Sequence, residues 1–123
     1  MIVSLLECKL FTEEQVMNLL QDYIEHLKTG EATRIAALFA EDGEFYDDAP
    51  SKLGAPPIDV KGRNNIEAFF RQTFVRGGLE VTNIGINGNA IRYDVHVGGM
   101  VLLCLGVAGV KGRLIKQYRV TAV

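Results

Sequence analysis

The chain has 123 residues, of which 48% are hydrophobic and 23% charged, and its formal net charge is -2. This length fits one domain that can bury a core without disulfides or metals, so a single domain over residues 1–123 is predicted. The charges of both signs are interspersed, without a run of five like charges. This pattern argues against nucleic acid and against an anionic membrane as partners.

The two cysteines, Cys8 and Cys104, lie far apart in apolar stretches. This favours buried thiols in a reducing compartment, and a cytoplasmic location is predicted. The N-terminal stretch MIVSLLECKLF lacks a basic region and is interrupted by Glu7 and Lys9, so neither a signal peptide nor a membrane span is expected there. We expect no metal and no cofactor, because the sequence has neither metal-ligand spacing nor a phosphate-binding glycine motif.

The first predicted helix begins at Thr12, which forms a capping-box pattern with Gln15. Its apolar residues recur at helical spacing and predict one buried face until Gly30 ends the helix. These residues are Val16, Leu19, Leu20, Tyr23, Ile24 and Leu27.

A second helix is predicted from about Ala32 to Ala40, with a turn at residues 41–43 and a strand over Glu44 to Asp47. All three prolines fall in the next segment, Ala49 to Gly62, which is predicted to be a long loop.

A third helix is predicted from about Arg63 to Val75, since its aromatic and aliphatic residues again recur at helical spacing. The remaining sequence alternates and is divided by glycines, which predicts four strands in an antiparallel meander. They are Leu79 to Ile86, Ala90 to Val97, Met100 to Val107 and Arg113 to Thr121. Helices followed by strands are typical of the α+β class.

The strand Met100 to Val107 is apolar at both alternating sets of positions, so both of its faces require cover. One face can pack against the helices. The other would be exposed in a monomer, which predicts a homodimer formed through the sheet.

The segment LLQDYIEHLKTGEATRIAALFAEDGEFYDD, followed by a proline-containing loop and VKGRNNIEAFFRQTF, resembles the first half of the ketosteroid isomerase-like superfamily. That superfamily includes nuclear transport factor two and the polyketide cyclases of the SnoaL type. The resemblance implies a cystatin-like cone, in which three N-terminal helices pack on a curved antiparallel sheet around a pocket for a hydrophobic small molecule.

By position, the resemblance implies that Asp47 is the catalytic base and Tyr23 the donor to the substrate oxyanion. Phe70, Cys104, Arg92 and Asp94 are expected to contact the bound compound. Cys104 falls where the isomerases carry a protonated aspartic acid, and a thiol cannot replace that donation. Steroid isomerisation is therefore not the expected reaction.

Limonene epoxide hydrolase, from the same superfamily, resembles this chain at Arg92-Tyr93-Asp94-Val95, since its arginine and aspartate share one strand face and activate water. The positions of its other two polar residues are unfilled or altered here.

The residues themselves leave other interpretations open. Tyr23 lies on an apolar helical stripe and would equally suit a core tyrosine. Asp47 and Asp48 are adjacent, so only one of them can face the pocket, and either would suit a solvated strand end. Arg92, Asp94 and His96 alternate with apolar residues, which favours a face on solvent or at a dimer rim.

These expectations combine into one leading hypothesis. The chain is a pocket protein that carries out general acid-base chemistry on a hydrophobic carbonyl compound, with Asp47 as base and Tyr23 as donor. The alternatives are a non-catalytic binding or dimerisation module and water activation by Arg92 and Asp94.

Overall fold

The computed structural model describes residues 13–123, in which three α-helices pack on one curved, six-stranded sheet. The helices are α1 (Glu13–Thr29), α2 (Ala32–Ala37) and α3 (Arg63–Thr73), and a 3₁₀ helix spans Ala49–Leu53. The predicted α+β class is confirmed. Within this part of the chain, no helix has the length and apolar character needed to cross a membrane.

The sheet has the strand order β2-β1-β6-β5-β4-β3. Its strands are β1 (Phe39–Asp47), β2 (Ile58–Lys61), β3 (Glu80–Asn87), β4 (Ala90–Val97), β5 (Met100–Lys111) and β6 (Leu114–Ala122). The predicted antiparallel meander is confirmed for β3 through β6. It does not extend to β1, which pairs in parallel with β6, because a long connection separates these two strands in the chain.

The helix α1 follows the predicted apolar stripe. Leu20, Tyr23 and Leu27 are all buried, and the helix ends before Gly30, whose φ of 79° is a left-handed conformation that glycine adopts without strain. The Gly30 N–H donates to the His26 carbonyl and closes the last turn. The predicted cap at Thr12 and the thiol of Cys8 lie outside the described residues.

The segment between α2 and α3 differs from its predicted structure. The helix α2 ends at Ala37, and residues 41–43 are part of β1 instead of a turn. The register of β1 on β6 shifts between Phe39 and Glu44, and this irregularity includes the glycine that favoured a turn in the sequence. The predicted loop contains the 3₁₀ helix and β2, which pairs with residues 44–47 of β1.

The hairpin between β5 and β6 turns later than predicted. Gly109 lies inside β5, opposite Gln117, and the turn falls at Gly112, which has a φ of 64°. A glycine without positive φ can remain within a strand, whereas the left-handed position at Gly112 marks the actual turn.

The two faces of the sheet have different environments. The helix-covered face carries the buried residues of each strand, among them Phe45 on β1, Tyr93 on β4 and Tyr118 on β6. In the core, Tyr118 contacts Tyr23 of α1, and Phe45 contacts Phe70 of α3. The opposite, outer face carries the alternate residues of each strand, and no α-helix of the described residues packs on it.

Candidate functional site

Asp47 lies on the helix-covered face at the end of β1, two residues after the buried Phe45. Its side chain is half-buried, and its Oδ1 accepts a hydrogen bond from the backbone N–H of Ala49 at 2.8 Å. Oδ2 takes part in no hydrogen bond within the described part of the chain. Asp48 follows the strand, and its Oδ1 accepts from the N–H of Ala122 at 3.2 Å. The structure therefore directs Asp47, of the two aspartates, toward the interior.

Tyr23 is 2% exposed and meets two further tyrosines in the interior. Its ring centroid lies 4.6 Å from that of Tyr118 on β6. The hydroxyls of Tyr23 and Tyr93 are both neighbours of the Tyr118 hydroxyl, and each affects the pKa of Tyr118. None of these contacts gives the Tyr118 Oη a hydrogen bond of normal geometry with a described residue. We call these three residues the tyrosine cluster.

Burial controls the protonation of this site. It raises the pKa values of all three residues of the tyrosine cluster, which stay neutral donors at pH 7. Burial also raises the pKa of Asp47, the Ala49 N–H lowers it in part, and the nearby Asp48 carboxylate raises it further. The Asp47 carboxyl is therefore a stronger proton acceptor than an exposed aspartate.

Cys104 and Phe70, the two other interior residues of the predicted site, lie on different sides of the tyrosine cluster. Cys104 pairs across the sheet with Tyr93 and is 3% exposed, so the predicted buried thiol is confirmed here. Burial raises the pKa of its thiol to about 12, which leaves it protonated at pH 7. Phe70 forms an edge-on contact with Tyr23 at 6.3 Å and is 2% exposed. It is a core residue between α1 and β1.

Arg92 and Asp94 lie on the outer face, away from the tyrosine cluster. Arg92 is exposed, and Asp94 accepts a hydrogen bond from Asn83 Nδ2 at 2.7 Å through its Oδ2. His96, on the same face, contacts Glu80 and Thr82 of β3. Water activation by Arg92 and Asp94 requires both side chains to point inward. The structure does not bring them to the interior, so it supports neither water activation by these two residues nor their expected contact with a substrate beside Asp47.

A polar cleft of about 240 Å³ lies on the outer face near β2, away from Asp47. The guanidinium carbon of Arg119 lies over the Tyr46 ring there, 4.5 Å from its centroid, and Lys61 lies near Glu44. The cleft lacks the apolar lining that is typical of a small-molecule pocket.

The interior contains a carboxylate and hydroxyl groups, which are the two kinds of group needed to remove a proton from a carbon next to a carbonyl group. Asp47 has one oxygen that no described residue uses, and the tyrosine cluster supplies neutral hydroxyls. Among residues 13–123, no group of three or more histidine, cysteine or carboxylate side chains could hold a metal ion.

Sequence reasoning did not select Tyr93 and Tyr118. Both are marked by strand alternation, because Tyr93 lies between the outward Arg92 and Asp94, and Tyr118 lies two residues before the buried Val120. Alternation predicts that both rings face the helices. It does not predict that they meet Tyr23, since that depends on how β4 and β6 flank β5.

The fold is that of the ketosteroid isomerase-like and nuclear transport factor two-like proteins. A nuclear transport factor two-like protein of unknown function from Burkholderia xenovorans superposes with a TM-score of 0.66 at 16% identity, over 89% of this chain and 84% of that one. A protein with a ketosteroid isomerase-like fold from Catenulispora acidiphila, in complex with trimethylamine, gives 0.62 at 17% identity, over 83% and 82%.

A third similar structure is an LEH-like epoxide hydrolase from M. tuberculosis, with a TM-score of 0.63 at 18% identity, over 89% of this chain and 84% of that one. No family model and no curated protein matches the sequence. At these identities the similarity establishes the fold and leaves the activity to the residues of the site.

Proposed function

We propose that this chain, which has the ketosteroid isomerase-like fold, binds a small hydrophobic carbonyl compound and moves a proton on it. Asp47 takes the proton from the carbon next to the carbonyl, and Tyr23 donates to the carbonyl oxygen as negative charge develops there. The ligand is a neutral small molecule, with no nucleic acid and no membrane as partner. A cytoplasmic location is part of the same proposal.

The position of Asp47 carries this proposal. A carboxylate on the helix-covered face, with a raised pKa and one oxygen unused by the described residues, suits a general base near neutral pH. The aromatic interior beside it limits the ligand to a small compound, since Tyr23, Phe45 and Tyr118 are each at most 2% exposed and in ring contact.

The base is tested with pent-4-en-2-one, an acyclic ketone. Transfer of one proton from its third to its fifth carbon moves the double bond into conjugation, which the ultraviolet absorbance of pent-3-en-2-one reports. We expect the parent protein to accelerate this reaction and the Asp47→Asn variant to lose about 10²- to 10⁴-fold in rate, because an amide cannot accept the proton. A parent without rate above buffer, or a variant that keeps the parent rate, would contradict the proposal.

Asp48→Asn is the matched control, since it removes the neighbouring charge at a residue that bonds to β6, and its rate should stay within a few-fold of the parent. A cooperative thermal unfolding transition is the check that the Asp47 variant is folded.

The folded protein binds the Asp47 proton more tightly than the unfolded chain, so the parent loses stability as pH rises from about 4 through the raised pKa. Asp47→Asn should therefore unfold at a higher temperature than the parent at pH 7, and the difference should shrink toward pH 4.

The second candidate function is a non-catalytic dimerisation module, and it is favoured by the outer face. Val101, Leu103 and Val107 of β5 are 47%, 48% and 40% exposed and lie in one apolar band, with the partly buried Leu105 between them. Charged side chains border the band on both sides, with Arg92 opposite Leu105 and Arg119 opposite Val107. An apolar centre with a polar rim is typical of a two-fold interface between copies of one chain.

Leu103→Lys tests the dimer, because two-fold symmetry would bring the new charge close to its copy in an apolar contact. We expect the parent to sediment with twice its 13.5 kDa mass and the variant to dissociate at least about tenfold more readily, which corresponds to 1.4 kcal/mol. Val75→Lys changes an exposed residue outside the band and should leave the mass unchanged. A parent that sediments as a monomer at every concentration would remove this candidate.

A further inference from the structure

The helix-covered face of β5 carries small residues, and large residues of β4 and β6 flank them. Cys104, Gly106 and Ala108 are buried there, and the neighbouring strands place Tyr93 and Tyr118 beside them. Large rings on flanking strands can therefore lean across β5. The rings of Tyr93 and Tyr118 therefore fill the space over the helix-covered face of β5.

Tyr118 lies directly over Gly106. A Cβ atom at position 106 would stand 2.1 Å from the Tyr118 hydroxyl oxygen and 2.6 Å from its Cζ, which no side chain could tolerate. The Tyr118 side chain is 0% exposed and its ring centroid lies 6.0 Å from that of Phe45. Its phenol group thus occupies the middle of the cone, between α1 and β5.

The Tyr118 hydroxyl is buried without a hydrogen bond of normal geometry to a described residue, although those of Tyr23 and Tyr93 are its neighbours. Burying an unpaired hydroxyl is unfavourable. The covalent attachment of the Tyr118 ring to the β6 backbone limits where this hydroxyl can lie. A free phenol in the same space could shift and rotate until it bonded to one of the two neighbours.

We propose that Tyr118 is the specificity-determining residue of the interior, whose own phenol ring occupies the space for a ligand ring. The native protein then accepts only small acyclic ligands beside Asp47, and removal of the Tyr118 ring makes room for a phenol-sized one. This inference rests on the proposed function for the role of Asp47. Its test uses binding alone, so a chain without proton-transfer activity can still support it.

The probe is phenol, which matches the group that Tyr118→Ala removes. We expect phenol to raise the unfolding temperature of the variant by several degrees and to leave that of the parent unchanged, with at least tenfold tighter binding to the variant by calorimetry. Benzene should bind the variant more weakly than phenol, since it cannot bond to Tyr23 or Tyr93. Tyr46→Ala removes a ring from the outer face and should show no phenol-dependent shift.

Equal binding of phenol by the parent and by Tyr118→Ala would overturn the inference, and so would a folded variant that does not bind phenol.

Should Tyr118→Ala fail to fold, Gly106→Ala gives a second measurement. The added methyl group must lower the unfolding temperature, and Tyr118→Leu in the same chain must restore part of the loss, because the shorter side chain clears position 106. A Gly106→Ala protein as stable as the parent would show that Tyr118 does not lie over this glycine.

Discussion

Gly78→Ala is expected to destabilise the fold by about 3 kcal/mol, the upper end for a methyl group forced into a packed region. A Cβ atom at position 78 would stand 1.9 Å from the carbonyl oxygen of Lys28 and 2.5 Å from its carbonyl carbon. Both are backbone atoms at the end of α1 and cannot rotate away. The chain would have to move off the helix, and the hydrogen bond from the Leu79 N–H to the Leu27 carbonyl, 2.8 Å long, would break.

Chemical denaturation measures this loss, and Gly85→Ala is its matched control. Position 85 on β3 has no atom within 4 Å of an added Cβ and no positive φ, so alanine there should change stability by about 0.5 kcal/mol or less. Denaturation midpoints that coincide for the two variants would mean that the loop before β3 does not pack on α1 as described.

The second large effect is expected for Phe70→Ala, at about 3 to 5 kcal/mol of unfolding free energy. The Phe70 ring contacts those of Tyr23, Phe45, Phe69 and Phe74, with centroid distances between 5.1 and 6.3 Å. Its removal would leave a cavity between α1, α3 and β1 that these rings cannot fill without moving. Thermal and denaturant unfolding of the variant report the loss.

Phe69→Ala provides the comparison, because Phe69 is only partly buried and should lose clearly less than Phe70. This pair also bears on the predicted role of Phe70 in ligand binding. A residue that only lines a ligand space could be shortened at small cost in stability. Were Phe70→Ala to cost no more than Phe69→Ala, the ring would be lining a space and not supporting the core.

Strand alternation favoured the outer face for Arg92, Asp94 and His96, against the expectation that Arg92 and Asp94 contact a substrate, and the structure places all three there. The fold of the chain was predictable from the first-half resemblance and from the order of helices and strands. The candidate site was predictable only in part. The resemblance selected Asp47 and Tyr23 as candidates by position. It did not select Tyr118, because nothing local marks the residue whose ring lies over Gly106.

The segment from residue 38 to residue 62 shows where local patterns failed. Gly43 and three prolines suggested a turn and a loop, yet Gly43 lies within β1 and Ile58 begins β2. A strand of four residues is stabilised by its partner, and its own composition carries little signal.

Helical and strand periodicity are local properties of the chain, so the sequence alone was enough to predict α1, the four C-terminal strands and the side of the sheet to which their residues point. Tertiary packing sets the parallel pairing of β1 with β6, the existence of β2 and the close approach of Tyr23, Tyr93 and Tyr118. Each of these depends on which distant segment packs alongside, and local periodicity does not specify a partner.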